Sequence, residues 1–226
     1  ASHGYKALVI TVDCPVPPKK PVPITVSLES ALRFAPDLAT RPGWSIRFFL
    51  DGLQLGSANE AMAPRKKAAV WSDLEWIREA WKGPLVVKGV ITADDARRAV
   101  DGGADCVVIS NHGGLALDGA PATLPALPEV VEVVGDQAEV LIDGGVRQGS
   151  DVIKALALGA RAVMIGRPYV AGLAIGGEAG VRRMLEMFRH EIDTALAMVG
   201  CEDIHALDPS YVSVPRHWHV PEKWRS

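Results

Sequence analysis

Cys106-Val107-Val108-Ile109-Ser110-Asn111-His112-Gly113-Gly114 is the stretch from which the fold of this sequence is read. Residues 106–110, an apolar run without polar alternation that closes on Ser110, describe a strand buried on both faces, as strands are in parallel sheets. The polar and glycine residues behind them end the strand at once. Outward from this point the same grammar recurs. Residues 6–12, 85–90, 139–142 and 162–165 are apolar, β-branched runs, each followed by turn residues. Residues 92–101, 123–134 and 150–158 read as helices, each opening on Thr or Ser as N-cap, the first with Asp95 at the third helical position. The repeat is strand then helix, five times over, which makes an α/β protein.

Three segments stand outside that rhythm. In residues 181–199, Val181, Met184, Leu185, Phe188, Ile192, Ala195, Leu196 and Val199 fall three and four apart, so they form one stripe of a long helix directed at the core. Residues 15–64 carry repeated prolines and apolar residues without period, which predicts a lid-like, partly disordered insert. The end of the chain, 213–226, holds Trp218, Trp224, His217 and His219 without helical or strand pattern, and is expected to pack as an irregular tail over the body or over a neighbouring subunit.

A length of 226 residues, 48% of them hydrophobic, is enough for a sizeable core. The formal net charge of −3 offers no general attraction to nucleic acid or anionic lipid, so neither is expected as a partner, and any anion site must be local. Cys14, Cys106 and Cys201 show no CxxC spacing, which points to reduced thiols in a cytoplasmic protein. His217 and His219 lack an evident third ligand, so no metal site is expected. No apolar run approaches the roughly 20 residues of a membrane helix.

Two glycine- and arginine-bearing turns follow consecutive strands: Asp143-Gly144-Gly145-Val146-Arg147 and Ile165-Gly166-Arg167. Glycine lets backbone approach a ligand closely, a helix N-terminus offers free N–H groups, and arginine adds charge, so the pair suits a phosphate. Several phosphate-binding barrels share that pairing, including inosine monophosphate dehydrogenase and flavin-dependent isopentenyl diphosphate isomerase. Ser110-Asn111-His112-Gly113, followed by Leu117-Asp118, discriminates among them. It resembles the FMN-dependent α-hydroxy-acid oxidase and dehydrogenase family, which includes glycolate oxidase and the lactate and mandelate dehydrogenases. Thr11-Val12-Asp13, Lys88 and Gly176-Gly177-Glu178 fall in that family's order.

The resemblance implies a TIM (β/α)8 barrel of which this chain supplies the last five βα units, residues 1–226 being the C-terminal part of one FMN-binding domain. The N-terminal barrel half is then expected to lie on a missing part of the chain or on a second chain, and the assembly to be a homo-oligomer. It also implies residue roles. Thr11 and Ser110 would hydrogen-bond the flavin, with Lys88 beside its N1 and C2 carbonyl. Asp143, Gly144, Gly145, Arg147, Gly166 and Arg167 would hold the phosphate, His112 would act as the base, and Asp13 would orient it. The implied reaction is oxidation of a CH–OH, 2-hydroxy-acid-like small molecule by base-assisted hydride transfer to flavin N5.

One departure concerns the substrate. Two arginines of the family clamp a substrate carboxylate, and the corresponding positions here are Leu115 and Lys20. Leucine donates no hydrogen bond, and lysine lacks the planar bidentate fork. Members of the family associated with mycofactocin are similar in lacking this arginine and oxidise an amine-bearing ring, so an amine or peptide-derived substrate is the alternative. An inactive half-barrel fragment is the other.

Overall fold

A computed structural model describes residues 3–15, 32–33, 35–36, 39–43, 45–46 and 69–224. The chain divides into two compact units, one of residues 1–15 with 69–226 and the other of residues 16–68. The described residues between 32 and 46 are mostly helical, with Ser45 N donating to Arg41 O at 3.0 Å. Most of the proline-rich stretch, Lys20 included, lies outside the described residues.

In the larger unit the elements run β1 (Leu8–Thr11), α1 (Asp73–Ala80), β2 (Leu85–Val90), α2 (Ala93–Asp101), β3 (Cys106–Ile109), α3 (Thr123–Val134), β4 (Glu139–Ile142), α4 (Gly149–Ala157), β5 (Ala162–Val163) and α5 (Arg167–Val199). The strands form one sheet in the order β1-β2-β3-β4-β5, and every neighbouring pair is parallel. The order never reverses, so the helical connections wind in a single sense. That is the arrangement of an arc of a (β/α)8 barrel, whereas a doubly wound sheet changes direction at a switch point.

Burial follows position in the arc. All four residues of the central β3 are buried, while Val9 on the edge strand β1 is 53% exposed. Val87, Val107, Ile109, Val140 and Ile142 pack against Ala96, Ala99, Leu127, Val130 and Leu158 from the helices, forming the main core. Val214, Trp218 and Trp224 of the tail lie against it, and His219 Nε2 reaches Glu132 Oε2 at 3.3 Å.

The helix starts correct two sequence expectations. Thr92 caps α2, its Oγ1 accepting from Asp95 N at 3.2 Å. The residue in the cap position of α3, however, is Ala122, because Thr123 spends its hydroxyl on the neighbouring loop, donating to Asp143 O at 2.6 Å. Helix α4 is capped from Gln148 instead of Ser150, with Asp151 Oδ2 accepting from Gln148 N at 3.2 Å.

Helix α5 starts earlier than its periodicity suggests and breaks at Gly176 and Gly177, where φ reaches 57°. Its apolar stripe is only partly covered. Phe188 is buried, but Leu185 and Val199 are about half exposed, because among the described elements α5 packs mainly on α4. A side chain at Gly149 would strike the backbone of Ile192, so glycine is what lets the start of α4 come this near to α5.

Burial, helped by Glu139 and Asp105, pushes the Cys106 thiol up to about 11 from its ordinary 9.0. The folded protein holds that proton more tightly than the unfolded chain, so this group costs stability as pH rises from about 9 towards 11. A titration with a thiol-reactive disulfide at pH 8 should label half-buried Cys14 in the native protein and Cys106 only after denaturation. Native-state labelling of Cys106 would contradict the burial argument.

Candidate active site

The register brings every expected site residue on a strand to one rim. Thr11 at the end of β1 stands opposite Lys88, and the ladder continues as Val12 N donates to Lys88 O at 2.9 Å, Ser110 N to Val90 O at 3.1 Å and Asp143 N to Ile109 O at 2.9 Å. Asp13, Ser110, His112 and Asp143 thus stand just past the C-terminal ends of β1, β3 and β4. Barrel enzymes place their chemistry on this rim because loops from several strands converge there.

Lys88 occupies the centre. Its Nζ donates to Ser110 Oγ at 2.7 Å and pairs with Asp143 Oδ2 at 2.8 Å, and both charged side chains are largely buried. Removing either partner would leave an uncompensated charge, an effect of about 3–5 kcal/mol. The carboxylate of Asp143, which the resemblance groups with the phosphate residues, is therefore directed at Lys88. Its other oxygen, Oδ1, is buried without a hydrogen-bond partner.

His112 lies 3.1 Å and 3.2 Å, through Nδ1, from the two oxygens of Asp13. A carboxylate accepts, so Nδ1 carries a proton, and in the neutral ring Nε2 then keeps its lone pair, the tautomer needed in a base. The residue has φ 54° and is the only non-glycine with positive φ among the described residues. The surrounding turn holds it there: His112 N donates to Ser110 Oγ at 3.2 Å and Gly113 N to Asn111 Oδ1 at 2.9 Å. Such strain costs on the order of 1–3 kcal/mol and persists only where neighbours impose it.

Asp13 is set by Gly89. The β2–β3 register shifts between Lys88 and Val90, and Gly89, with φ 106°, is the residue passed over. A Cβ there would fall 2.6 Å from Asp13 Cβ, so only glycine lets the carboxylate lie over this bulge.

Beside the histidine turn is a cavity of about 300 Å³ whose lining includes Asn111, Gly114, Thr123, Gly144, Gly145 and Arg167. Gly144 and Gly145 have φ of 88° and 78°, and nothing stands within 4 Å of where Cβ atoms of Gly145 or Gly166 would be. Among the described residues neither Arg147 nor Arg167 is ion-paired; Arg167 lines this cavity together with Asp151, whose carboxylate accepts from Arg147 N at 3.0 Å and Gln148 N at 3.2 Å. Leu115 caps the histidine turn and is 56% exposed.

Sequence reading missed one neighbour of the site. Cys14 Sγ lies 3.4 Å from His112 Nδ1. The signal was its adjacency to Asp13, but a contact across 98 positions is invisible to spacing.

The family model described as FMN-dependent dehydrogenase matches residues 1–214. The chain belongs to that family. The chain is 46% identical over 210 residues to a pre-mycofactocin synthase of Mycobacterium tuberculosis, a match that covers 86% of this chain and 53% of that protein. It is 43% identical over 218 residues to an L-lactate oxidase of Nostoc sp., covering 92% of this chain and 57% of the relative. The crystal structure of a monotopic membrane protein, (S)-mandelate dehydrogenase, matches with a TM-score of 0.79 at 35% identity, over 94% of this chain and 61% of that one. The chain thus spans about half the length of the curated relatives it matches. Among the described residues no helix is long and apolar enough to cross a membrane.

Gly89→Ala should destabilise the protein by about 2–4 kcal/mol, from a strained φ and an overpacked Asp13. Urea unfolding of the two proteins measures this, and an unchanged midpoint would show that Asp13 does not rest on Gly89.

Proposed function

We propose that this chain forms the phosphate-holding and base-bearing part of an FMN-dependent oxidoreductase acting on a small molecule. The residues fit the cofactor. The glycine turns at 144–145 and 166, with Arg147 and Arg167, supply open backbone and positive charge for a phosphate, and the unpartnered Asp143 Oδ1 is an acceptor for a hydroxyl of a polyol chain. Lys88 and Ser110 then offer donors to the ring edge, with Thr11 alongside on β1. Bound there, FMN supplies the acceptor for the two electrons and the hydrogen that leave the substrate carbon.

The observation that carries the reading is the His112–Asp13 pair. Nε2, free of the carboxylate, takes the proton from the substrate hydroxyl. Asp13 holds the ring in the required tautomer and stabilises the imidazolium that results. Lys88 places positive charge where electron density accumulates. On this reading the substrate is a 2-hydroxy-acid-like alcohol.

A second reading is favoured by Leu115. A half-exposed leucine at the lip of the site offers no contact to a carboxylate, and a relative at 46% identity is a pre-mycofactocin synthase. The same base then serves an amine or peptide-derived substrate, with the proton taken from nitrogen. Parallel turnover assays on hydroxy acids and on amine-bearing rings separate the two.

In the whole enzyme His112→Ala should lower turnover by roughly 100 to 10,000-fold, the usual contribution of a positioned base, while the visible flavin spectrum persists. Near-normal turnover would mean another base. Leu115→Arg should raise kcat/KM for lactate, glycolate or mandelate by roughly 10 to 150-fold, since a charge-assisted hydrogen bond contributes ~1.5–3 kcal/mol. If the unsubstituted enzyme already oxidises one of these acids at roughly 10^4 M⁻¹s⁻¹ or faster, Leu115 does not exclude them.

A further inference from the structure

Cys14 gives the base and its carboxylate a third donor. Its Sγ is 3.4 Å from His112 Nδ1, the Asp13 oxygens are 3.1 Å and 3.2 Å from the same nitrogen, and the three ligand atoms lie within 4.8 Å of one another. A tetrahedral Zn2+ has bonds of roughly 2.0–2.2 Å to nitrogen and oxygen and roughly 2.3 Å to sulfur, which sets its donors roughly 3.3–3.6 Å apart. The Sγ–Nδ1 and Nδ1–O separations already stand close to that spacing. A thiolate, an imidazole and a carboxylate form a borderline-soft set that selects Zn2+ over Mg2+ or Ca2+, which take oxygen donors.

The scaffold is firm on both sides. Asp13 and Cys14 follow directly on β1, whose ladder continues through Val12, and Gly89 fixes where Asp13 lies. His112 is held in its turn by Ser110 and Asn111. Its side chain is 37% exposed, so an ion can enter from solvent.

We propose that Asp13, Cys14 and His112 form a binding site for a Zn2+-class ion, and that its occupation takes His112 out of service as a base. The Zn–S bond forms as the Cys14 thiol gives its proton to solvent. The Zn–N bond forms at Nδ1, whose proton is displaced, and the neutral ring rebinds a proton at Nε2. One proton is released per ion. No electron moves, and water fills the fourth position. With Nε2 protonated and Nδ1 on the metal, the ring has no lone pair left for a substrate proton. The loss of turnover rests on the base role proposed above; the metal site itself does not.

The test uses ZnCl2 and this chain, by competition against a chromophoric zinc indicator, with zinc-edge X-ray absorption to identify donors. One ion per chain is expected, with one sulfur and the remaining donors nitrogen or oxygen. Cys14→Ala should weaken binding at least about tenfold, the effect that loss of even an outer-shell partner produces, while Cys201→Ala leaves it unchanged. The absorption spectrum is taken on the unsubstituted chain, so the result does not depend on a variant folding. A first shell without sulfur, or Cys14→Ala binding as tightly as the parent, would overturn the site. In the whole enzyme, Zn2+ should abolish turnover with the same occupancy, reversibly on chelation, and Cys14→Ala should be insensitive. Sulfur-ligated zinc with undiminished turnover would leave the site standing and overturn the base role of His112.

Discussion

Lys88 reaches from β2 across β3 to the loop after β4, and the rim of the arc is organised around it. Its ammonium meets Ser110 at 2.7 Å and Asp143 at 2.8 Å, so three successive strand ends are tied by one charge. The apolar contacts beneath determine that the strands pair, but they are indifferent to what stands above them. The ammonium is not. It is buried among strands of valine and isoleucine, where a charge without a partner is costly, and it therefore requires Ser110 and Asp143 to be where they are. Through Ser110 the requirement passes to His112, whose backbone N–H uses the same hydroxyl oxygen.

The second fixed point is the bulge at Gly89. A regular strand would place a side chain against Asp13 and move the carboxylate away from the imidazole. One residue passed over in the ladder thus sets the geometry between two others that lie 99 positions apart in sequence. Thr123 plays a similar part on the other side. Its hydroxyl bonds Asp143 O and Gly144 O, fastening the loop after β4 to the start of α3.

How much of this the sequence disclosed depends on the range of the interaction. Strands β2 and β4 were legible to the residue, because short β-branched runs bounded by turn residues have few other readings, even where Lys88 and Gly89 interrupt the first. The cap of α2 was legible for the same local reason. The cap of α3 was not: Thr123 looks like an N-cap until a loop 20 residues away claims its hydroxyl. The stripe on α5 was visible as a pattern, but a pattern does not say which neighbour covers it. In the site, His112, Asp13 and Lys88 came from a resemblance. Their mutual distances, the partner of Asp143, the place of Cys14 and the positive φ of His112 are long-range or conformational facts that residue spacing does not encode.

The backbone of His112 has a consequence of its own. At φ 54° glycine or asparagine would sit with less strain, and a chain selected for persistence alone would have one of them there. The imidazole is kept at a position where it is a poor structural choice, held by Ser110, Asn111 and the glycines that follow. On the base role proposed for it, position 112 is a place where durability and chemistry pull in opposite directions, and where a stabilised descendant of this protein would be expected to have lost its trade.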